Sequence, residues 1–463
     1  MTPAPQPAPA DPLEAARAIA RAVDAVGGRA LIVGGWVRDR LLGRDAKDLD
    51  LEVYGLHPLK LKTLLTGFGS VNTVGESFTV YKVAGLDVSL PRRESKTGRG
   101  HKGFEVIGDP QLDPKEAARR RDFTVNAIAW DPLRETYLDP FNGRYDLADR
   151  VLRVVDPTTF GDDSLRVLRA IQFAARFEAR LEPDSFAICR AIPLDDLPAE
   201  RIWGELEKLL LQAERPSLGL QLALDLGVVE RLWPELQALV GCKQDPEWHP
   251  EGDVWVHTLM VVDGARKRLD GLDRSRALTV MLGAVTHDFG KPSTTAFIDG
   301  HIRSRGHEAA GVAPATAFLD RLNIHTVDGF DVRKHVLTIV SDHLAPGMWH
   351  KSATPVGDGA FRRLAARVDL ELLARVAEAD CEGRTGRFDC SAMSWFRERA
   401  EALGVQHAPP APILLGRHLL ELGVEPGPEM GAILKQAYER QLDNAFTDLD
   451  GALAFARTQL PNS

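Results

Sequence analysis

Three acidic residues that alternate with apolar ones stand out first in this sequence. Asp48, Asp50 and Glu52 belong to the stretch DLDLEVYG, in which Leu and Val occupy the positions between them. Successive side chains of a strand point to opposite faces, so the three carboxylates would share one face. Carboxylates held close together repel one another and commonly share a divalent cation. The stretch is therefore either a metal site or an amphipathic strand with a solvated acidic face.

A double glycine precedes these acids. Gly34 and Gly35 follow the apolar run ALIV and come before a helix that begins near Trp36. Backbone without side chains lets a phosphate approach the free N–H groups at the start of that helix, and Arg38, one turn further on, can add a charged hydrogen bond. Glycines and acids together suit phosphoryl transfer, in which metal ions activate the attacking hydroxyl and steady the leaving group. Each motif alone is also typical of an ordinary turn or strand.

The elements that must position these residues change in type along the chain. Up to about residue 150, short β-branched runs such as FTVYKV, LDVSL and YLDP alternate with helical segments, the first of them at 13–26. Beyond residue 160, apolar residues recur at helical spacing and strand signals vanish. The sequence therefore predicts an α+β protein with a small mixed-sheet head and an extended all-helical body.

Stretches rich in proline and glycine divide the chain further. The predicted segments are a disordered leader at 1–12, a head at 13–150, a helical neck at 151–240, a second functional domain at 241–400 and a helical tail at 401–463.

Composition and charge bound the setting of the protein. A net charge of -9 gives no global attraction to nucleic acid, so any RNA contact must be local, as at the basic segments 92–102 and 115–121. No apolar run reaches membrane length and the N-terminus lacks the features of a signal peptide, which favours the cytoplasm. The cysteines lack CxxC spacing, so we predict buried or free thiols rather than a zinc site. They are Cys189, Cys242, Cys381 and Cys390.

The spacing from the double glycine to the acidic pair resembles that of a known superfamily. The pattern GGWVRDRLLGRDAKDLD is similar to the tRNA nucleotidyltransferases (CCA-adding enzymes) of the bacterial and eukaryotic class, within the DNA polymerase beta nucleotidyltransferase superfamily. The resemblance implies that Asp48 and Asp50 hold Mg²⁺ and that Asp87, in LDVSL, is the third catalytic acid. Glu52 lies beyond the family motif, and we interpret it as a bystander at the mouth of the site. The nucleotide-binding residues implied in this segment are Gly34, Gly35 and Arg38.

Two further motifs follow in the family's order. RRDFTVN resembles the sugar-selecting motif, which implies that Arg121, Asp122 and Asn126 contact ribose and phosphates. FGDDSLRVLR resembles the EDxxR motif, in which protein replaces a nucleic-acid template, although Asp162 stands where Glu is usual. That resemblance implies nucleotide-binding roles for Asp163, Arg166 and Arg169.

The chemistry of an aspartate and an arginine suits that role. Asp163 and Arg166 are expected to be neighbours on one helix face. A carboxylate accepts hydrogen bonds and a guanidinium donates them, whereas cytosine and adenine each offer an amino group beside an acceptor nitrogen. Guanine and uracil present the reverse order, so the pair fits C and A and rejects G and U, each good pairing being worth about 1–3 kcal/mol. The alternative is an ordinary salt bridge on a surface helix.

A second set of histidines and aspartates lies between residues 249 and 380. His257 falls on an amphipathic helix, His287 and Asp288 are adjacent in HDFGK, and Asp380 follows much later. This order resembles the HD phosphohydrolase superfamily, which implies a divalent metal such as Mn²⁺, Ni²⁺ or Mg²⁺ and a hydrolytic water. His307 and His343 either complete the metal site or are structural histidines. Some bacterial tRNA nucleotidyltransferases carry this domain, which implies phosphatase and 2′,3′-cyclic phosphodiesterase as second activities.

Three other segments refine the prediction. The basic stretch 91–106 fills the position of a flexible loop that is absent from relatives adding only CC, although a solvated loop would look alike. ERIWGELEKLL, residues 200–210, resembles the last neck motif. The glycines between two helices at 414–442 suit either a tail that holds the tRNA elbow or a tight helix–helix turn.

The sequence thus predicts template-independent addition of C, C and A to the 3′ end of tRNA from CTP and ATP, without a membrane or an evident protein partner. An enzyme that adds only A and a bacterial poly(A) polymerase share these motifs and stay as alternatives. Uridylylation of a signalling protein conflicts with RRDxxxN and DDxxR and with the lack of room for C-terminal sensor domains. A non-catalytic RNA-binding scaffold conflicts with the intact DxD.

Overall fold

The structure is a computed structural model that describes residues 11–46, 48–74, 80–96, 104–386 and 388–460. The chain folds into two compact units. The first comprises Met1–Leu209 with Leu218–Val228, and the second comprises Leu210–Ser217 with Val229–Ser463. Across the described ranges, no helix is long and apolar enough to cross a bilayer. Most of the predicted leader, residues 1–10, lies outside those ranges.

A seven-stranded mixed sheet forms the centre of the head. The strands of the first unit are β1 (Arg29–Val33), β2 (Asp50–Tyr54), β3 (Asn72–Val74), β4 (Val80–Val83), β5 (Leu86–Ser89), β6 (Arg92–Lys96), β7 (Phe104–Gly108), β8 (Ala129–Asp131), β9 (Thr136–Leu138), β10 (Val151–Leu152) and β11 (Arg180–Leu181). The sheet order is β3-β4-β5-β2-β1-β8-β9, in which β2 and β5 are parallel and the other neighbours antiparallel. This sheet confirms the predicted mixed-sheet head.

Helices flank the sheet and continue into the neck. They are α1 (Pro12–Asp24), α2 (Gly35–Leu41), α3 (Pro58–Leu65), α4 (Pro114–Arg119), α5 (Gly143–Ala148), α6 (Leu165–Phe177), α7 (Pro183–Ala191), α8 (Ala199–Gln212) and α9 (Pro216–Asp225). Single 3₁₀ turns occur at Thr66–Phe68, Thr124–Asn126 and Phe160–Asp162. Most of these helices begin at a proline, whose fixed φ suits the first helical turn.

Both faces of strand β2 are covered, which leaves Asp50 at the exposed end of a buried strand. Leu51 and Val53 point into the main core with Ile32 and Val88, against α1 and α3. On the opposite face Tyr54 packs in a smaller cluster that includes Ala117 of α4. Only Asp50, the first residue of the strand, stays exposed. The alternation of the strand therefore sets the face on which each side chain lies, and the packing of α4 on one face buries the side chains there.

The basic stretch predicted as a loop at 91–106 is largely a hairpin. Strands β6 and β7 pair antiparallel, with Arg92 opposite Gly108 and Lys96 opposite Phe104. The prediction of a loop was wrong for the paired residues, because Arg92–Lys96 contains no apolar residue and so shows no alternation of apolar and polar positions. The tip, residues 97–103, lies outside the described part of the chain.

The second unit is mainly helical. Its helices are α10 (Val228–Leu232), α11 (Pro234–Gln237), α12 (Val254–Arg266), α13 (Arg274–Thr286), α14 (Lys291–Thr294), α15 (His307–Arg321), α16 (Val332–Asp342), α17 (Ala345–His350), α18 (Asp358–Ala365), α19 (Leu370–Glu382), α20 (Ser391–Ala402), α21 (Gly416–Glu421), α22 (Pro428–Leu442) and α23 (Leu449–Gln459). Helix α13 is buried along its length and packs against α12, α16 and α19. Those four helices surround the predicted HD residues.

The body is not entirely helical, which corrects one part of the prediction. Strands β12 (Thr295–Ile298) and β13 (His301–Ser304) form a hairpin, as do β14 (Thr326–Val327) and β15 (Phe330–Asp331). Each hairpin turns at an Asp-Gly pair with positive φ at both residues, the sequence expected for a two-residue turn between strands. The Asp-Gly pairs are visible in the sequence, but the strands were not predicted because the apolar runs on either side of each pair are short.

The cysteines divide into two groups. Cys189 and Cys242 are free thiols, as predicted, whereas Cys381 and Cys390 form a disulfide. The prediction of thiols was wrong for the second pair. The disulfide joins the end of α19 to the residue before α20, so it closes the segment that carries Arg384.

Candidate functional site

The double glycine turns the chain from β1 into α2. Gly34 has φ of +77°, a conformation that favours glycine. A Cβ on Gly34 would also lie 3.1 Å from a guanidinium nitrogen of Arg121 and 3.8 Å from a carboxylate oxygen of Asp50. Because Gly34 has no side chain, its backbone can lie close to both the Arg121 guanidinium and the carboxylate of Asp50, a candidate catalytic acid.

The predicted acids converge at the edge of strands β2 and β5. The parallel register sets Asp50 directly beside Asp87, and Asp48 lies just before β2. Surrounding protein atoms raise the pKa of Asp50 by desolvation, Arg121 lowers it, and the nearby carboxylates of Asp87 and Asp48 raise it, so the net shift is upward. Crowded carboxylates of this kind attract a cation.

Lys82 is a neighbour that the sequence-based prediction missed. Its Nζ lies 2.8 Å from Oδ1 and 3.0 Å from Oδ2 of Asp87. The pair follows from the Ala84-Gly85 turn, which sets Lys82 opposite Asp87 in the β4–β5 register. Recognition of that two-residue turn would have revealed the contact. The ammonium supplies one positive charge to the group of carboxylates.

Glu52 is not a bystander at the mouth of the site, because its side chain is only 3% exposed. It accepts hydrogen bonds from the Tyr54 hydroxyl at 2.7 Å and from Arg120 Nη2 at 2.9 Å. Burial would raise its pKa, but Arg121 and Arg120 hold the pKa of Glu52 below its usual range. Glu52 therefore anchors the arginine pair of the RRD motif as an ionised carboxylate.

A buried chain of hydrogen bonds connects the head to the first neck helix. Asp122 accepts from Asn126 Nδ2 at 2.8 Å and from Arg169 Nε at 2.6 Å. Asn126 Oδ1 in turn accepts from Arg38 Nη1 at 2.6 Å. The Arg38 guanidinium also lies over the ring of Phe177, 4.6 Å from its centroid, a geometry that adds a cation–π attraction. Four predicted nucleotide-binding residues from three separate motifs therefore form one network.

Loss of the Asp122 charge is expected to loosen this network. Burial would raise the pKa of Asp122, but Arg169, Asn126 and the Phe123 N–H hold it below its usual range. We expect Asp122→Asn to speed amide exchange of residues 123–126 in the full chain by about 10-fold or more, because a buried partner of Arg169 is lost at a cost of about 1–3 kcal/mol. Hydrogen exchange followed by mass spectrometry would measure the effect.

The pH dependence of that effect has a definite sign. A carboxyl whose pKa is lowered on folding stabilises above its unfolded pKa, about 3.9, and loses the contribution as pH falls through its folded value. The difference between wild type and Asp122→Asn should therefore be full at pH 7 and shrink below about pH 4. Equal exchange rates at pH 7 would contradict the prediction.

The two residues of the predicted base-selecting pair do not share a helix face. Asp163 lies before α6, in extended conformation, whereas Arg166 is inside the helix. Arg166 donates to the main-chain oxygens of Thr159 at 3.2 Å and Arg120 at 2.7 Å. Because Asp162, Asp163 and Ser164 can all begin a helix, the start of α6 could not be located from sequence.

Arg201 holds the carboxylate of Asp163, and sequence reasoning did not assign it. Its Nη1 and Nη2 lie 3.0 Å and 2.9 Å from the two carboxylate oxygens, a bidentate pairing. Arg201 belongs to α8, the helix formed by the last neck motif. Asp163 also accepts from the Leu165 N–H at 3.2 Å. The orientation of the acid is therefore fixed from both neck helices.

The predicted HD residues meet within the second unit. His257 lies on α12, His287 and Asp288 follow α13, and Asp380 lies on α19. His257 Nε2 is 2.9 Å from Asp380 Oδ1, and His287 Nε2 is 3.2 Å from Asp288 Oδ2. Lys291 Nζ lies 2.7 Å from Asp288 Oδ2. All four predicted ligands therefore meet in one cluster, in which His257, His287 and Asp288 are buried and Asp380 is partly exposed.

The two histidines whose role the sequence left open lie in the same cluster. His307 starts α15 and His343 ends α16. Their Nε2 atoms are 3.3 Å apart, and His307 Nε2 is 3.4 Å from Asp288 Oδ1. Burial lowers the pKa of His343 to about 4, aided by His287 and His307, so its ring is neutral at pH 7. Their placement fits a site with more than four ligands.

The orientation of the histidine rings in the cluster fits a cation. The Nδ1 atoms of His287, His307 and His343 lie 2.8–3.0 Å from main-chain carbonyls, so Nε2 is the nitrogen of each ring that faces the centre. The buried Nε2 of His287 makes no hydrogen bond to any residue in the described ranges. Imidazole nitrogens and carboxylates facing one another suit a divalent metal ion. Burial would lower the pKa of His257, but Asp380 and Glu251 raise it above its usual value. The carboxylates of the cluster therefore favour a positive charge at its centre.

A cavity of about 360 Å³ opens from this cluster. Its walls include the arginines Arg303, Arg305 and Arg384. Trp248, 51% exposed, lies on the same wall. Guanidinium groups beside metal ligands would attract an anion such as a phosphate.

Family models match two stretches in roughly the first half of the chain, and full-length relatives match most of it. Residues 30–153 match the family model "Poly A polymerase head domain", and residues 181–239 match "Probable RNA and SrmB- binding site of polymerase A". A "Multifunctional CCA protein" of Xanthomonas campestris pv. campestris (strain B100) is 36% identical over 422 residues, which cover 88% of this chain and 96% of the relative.

Solved structures have the same fold. The CCA-adding enzyme of Bacillus stearothermophilus in complex with CTP aligns with a TM-score of 0.65 at 21% identity, covering 97% of this chain and 99% of the other. The CCA-adding enzyme of Thermotoga maritima complexed with tRNA aligns with a TM-score of 0.58 at 19% identity, covering 97% and 96%. These likenesses extend over the head, the neck and the body.

Proposed function

The chain belongs to the family of multifunctional CCA proteins, the CCA-adding tRNA nucleotidyltransferases, and we propose that it adds C, C and A to tRNA by two-metal nucleotidyl transfer in the head. The observation that carries this proposal is the meeting of Asp50 with Asp87 beside Gly34 and Arg121. The donor set of Asp48, Asp50 and Asp87 suits Mg²⁺, which prefers carboxylate oxygens. When bound there, Mg²⁺ would activate the tRNA 3′-hydroxyl and stabilise the leaving pyrophosphate.

The chain's own residues would bind and orient the two substrates. The tRNA 3′-hydroxyl oxygen attacks the α-phosphorus of CTP or ATP, the new P–O bond forms, and the bond to pyrophosphate breaks. Gly34 and Gly35 leave space for the triphosphate, and Arg121, held by Glu52 through its charge, offers N–H groups to it. Asp122 and Asn126 would contact the ribose from the network that also holds Arg38 and Arg169.

Base choice is assigned to Asp163 and Arg166. The Asp163 carboxylate keeps acceptor capacity beyond the bonds from Arg201 and Leu165, and Arg166 keeps N–H donors beyond the two it uses. An acceptor beside a donor matches the amino group and ring nitrogen of C or A. Arg201 would fix the direction of the acceptor and so act as a positioning residue.

Removal of Arg201 is expected to weaken base selection. In Arg201→Met, the preference for CTP over UTP should fall about 10-fold, since one oriented pairing is worth about 1–3 kcal/mol. Single-turnover incorporation of CMP and UMP into tRNA would measure it. Lys208→Met is the matched control, because Lys208 lies on the same helix and pairs with Glu205 instead. Equal selectivity of Arg201→Met and wild type would contradict the role.

A tRNA extension assay tests the function of the head. The full chain is incubated with CTP and ATP and with tRNA ending at the discriminator base, tRNA ending in CC, or a generic RNA. We expect C, C and A on the first substrate and A alone on the second. Absence of CMP on the first substrate would favour the A-adding alternative, and long adenylate tails on generic RNA would favour a poly(A) polymerase.

The body is proposed to be a metal-dependent phosphohydrolase. The convergence of His257, His287, Asp288 and Asp380, with His307 and His343 beside them, supports this proposal. The implied metal is Mn²⁺, Ni²⁺ or Mg²⁺, which would supply a nucleophilic water at neutral pH. Hydrolysis would form a P–O bond to water and break an ester P–O bond, with the leaving oxygen taking up a proton from water, and the arginines of the cavity would hold the phosphate oxygens.

The hydrolytic proposal has its own assay. Release of products from a 2′,3′-cyclic nucleotide and from a phosphate monoester is followed with each metal and with chelator. Hydrolysis of either substrate that depends on metal supports the proposal. Absence of hydrolysis of both, with all three metals, would contradict it.

The tail and the cellular setting are also proposals. Residues 422–427 separate α21 from α22, and at Gly423, which has φ of +82°, the Val424 N–H donates to Leu419 O at 3.0 Å, so the chain leaves α21 through a glycine turn. Leu420 is exposed beside that turn. We assign the surface to the tRNA elbow, and the cytoplasm, where tRNA matures, stays the predicted location.

A further inference from the structure

Glu251 is a buried carboxylate at the edge of the metal centre that no motif includes. It lies in the turn before α12, and its side chain is only 1% exposed. Its Oε1 is 2.8 Å from Nδ1 of His249 and 2.9 Å from Nδ1 of His257. Its Oε2 accepts from the Thr385 N–H at 3.3 Å. Burial of a carboxylate without such partners costs free energy, so the partners of Glu251 are what allow it to occupy this buried position.

His257 differs from the other three histidines in what its Nδ1 faces. The Nδ1 atoms of His287, His307 and His343 have main-chain carbonyl partners. His257 lies inside α12, where the carbonyl of Val254, three residues before it, already accepts the Thr258 hydroxyl. Its Nδ1 makes no well-aligned hydrogen bond within the described ranges, and Glu251 is the carboxylate at bonding distance. Glu251 therefore takes the place that a carbonyl takes elsewhere.

We propose that Glu251 is a positioning residue of the metal centre. As an acceptor, it holds the Nδ1 edge of the His257 ring, so that Nε2 faces Asp380 at 2.9 Å and Asp288 at 3.9 Å, the position from which it would ligate the ion. A negative charge behind a histidine ligand fixes its tautomer and strengthens the ligand. The inference rests on the metal-dependent function proposed for the body. It adds a residue that controls metal affinity without touching the ion.

A second metal site at this cluster is the competing arrangement. His249, Glu251 and His257 offer ligand atoms close enough to surround an ion. However, both Nδ1 atoms lie at hydrogen-bond distance from the same Oε1. The centre, in contrast, brings together two carboxylates, Asp288 and Asp380, and a buried His287 Nε2 that has no hydrogen-bond partner among the described residues. This donor set favours an ion at the centre, with Glu251 behind His257.

Binding of Mn²⁺ to the full chain, followed by electron paramagnetic resonance of the free ion, tests the proposal. Glu251→Gln keeps the size of the side chain and an oxygen for Thr385, but removes the charge. We expect its Kd for Mn²⁺ to rise about 10- to 100-fold, the range for loss of an outer partner of a histidine ligand. The matched control is Glu308→Gln. Glu308 Oε2 is 3.6 Å from His307 Nδ1, which already has the Ser304 carbonyl at 2.8 Å, so its Kd should stay within about twofold of wild type.

The outcomes separate this inference from the function on which it rests. If wild type binds no Mn²⁺, the proposed metal-dependent function fails and the inference fails with it. If wild type binds and Glu251→Gln binds equally well, only the inference fails. Equal weakening by both substitutions would assign the effect to overall charge and also overturn it. Loss of one of two Mn²⁺ equivalents, with the other unchanged, would establish the second metal site instead. The tRNA extension rate, measured on the same preparations, should be unchanged in both variants.

Discussion

Asp50→Ala should abolish nucleotide addition to tRNA while leaving the body intact. Asp50 stands at the start of β2 beside Asp87 and Asp48, so the substitution removes the ligand at the centre of the proposed Mg²⁺ site. We expect a fall in the rate of CMP and AMP transfer of about 10³-fold or more, equivalent to about 4 kcal/mol of transition-state stabilisation. Single-turnover extension of tRNA at saturating CTP would measure the chemical step.

The apparent affinity for CTP should change much less than the rate in this variant. Arg121, Asp122 and Arg38 form the proposed contacts to ribose and phosphates, and none of them depends on Asp50 for a hydrogen bond in the described chain. A loss confined to the rate identifies an interaction made in the transition state. Asp45→Asn is the matched control, since Asp45 is an exposed acid in the preceding loop. Full activity of Asp50→Ala would revive a non-catalytic RNA-binding scaffold.

Asp288→Asn should have the converse effect. Asp288 is buried between His287, His307 and Lys291, and its charge is held because His287 and Lys291 keep its pKa well below the usual range against the effect of burial. Replacing the carboxylate by an amide removes a proposed metal ligand and turns an N–H donor toward histidine nitrogens or Lys291. We expect metal-dependent phosphate ester hydrolysis to fall about 10³-fold. Product release at fixed Mn²⁺ would measure it.

The tRNA extension rate of Asp288→Asn should equal that of wild type, because the substitution lies in the second compact unit and the nucleotide network in the first. Asp299→Asn serves as the matched control. Asp299 occupies the turn of the β12–β13 hairpin with φ of +51°, a conformation that Asn also tolerates. Unchanged hydrolysis in Asp288→Asn would exclude the HD cluster as the hydrolytic centre.

Local patterns were sufficient for much of the head. The alternation in DLDLEVYG predicted a strand with its three acids on one face, and β2 confirms this for Asp50 and Glu52, whereas Asp48 lies just before the strand. The run ALIV and the double glycine predicted a strand followed by a helix, observed as β1 and α2. These features depend on neighbours in sequence, so periodicity and turn chemistry contain them. The adjacency of Asp50 and Asp87 came from the family resemblance and agrees with the parallel register.

The contacts that tune the sites could not be predicted in the same way. Arg201 reaches Asp163 across 38 positions, and Glu251 faces His257 only because the preceding turn folds back on α12. Each is an ordinary charged residue in its own segment, and no local pattern selects it. Glu52 was misplaced for a related reason, since the cover supplied by α4 and the RRD arginines is tertiary. Side-chain partners at long range decide such roles.

The network from Arg38 through Asn126 and Asp122 to Arg169 has a consequence for the evolution of the chain. Each member is the hydrogen-bond partner of the next, so a substitution at one leaves another buried polar group unsatisfied. Energetic effects of neighbours in one network do not add. Acceptable changes at these positions must therefore come in compensating combinations, and the order in which they arise matters. We therefore expect substitutions in the three segments that carry Arg38, the RRD motif and Arg169 to depend on one another, although these segments are distant in sequence.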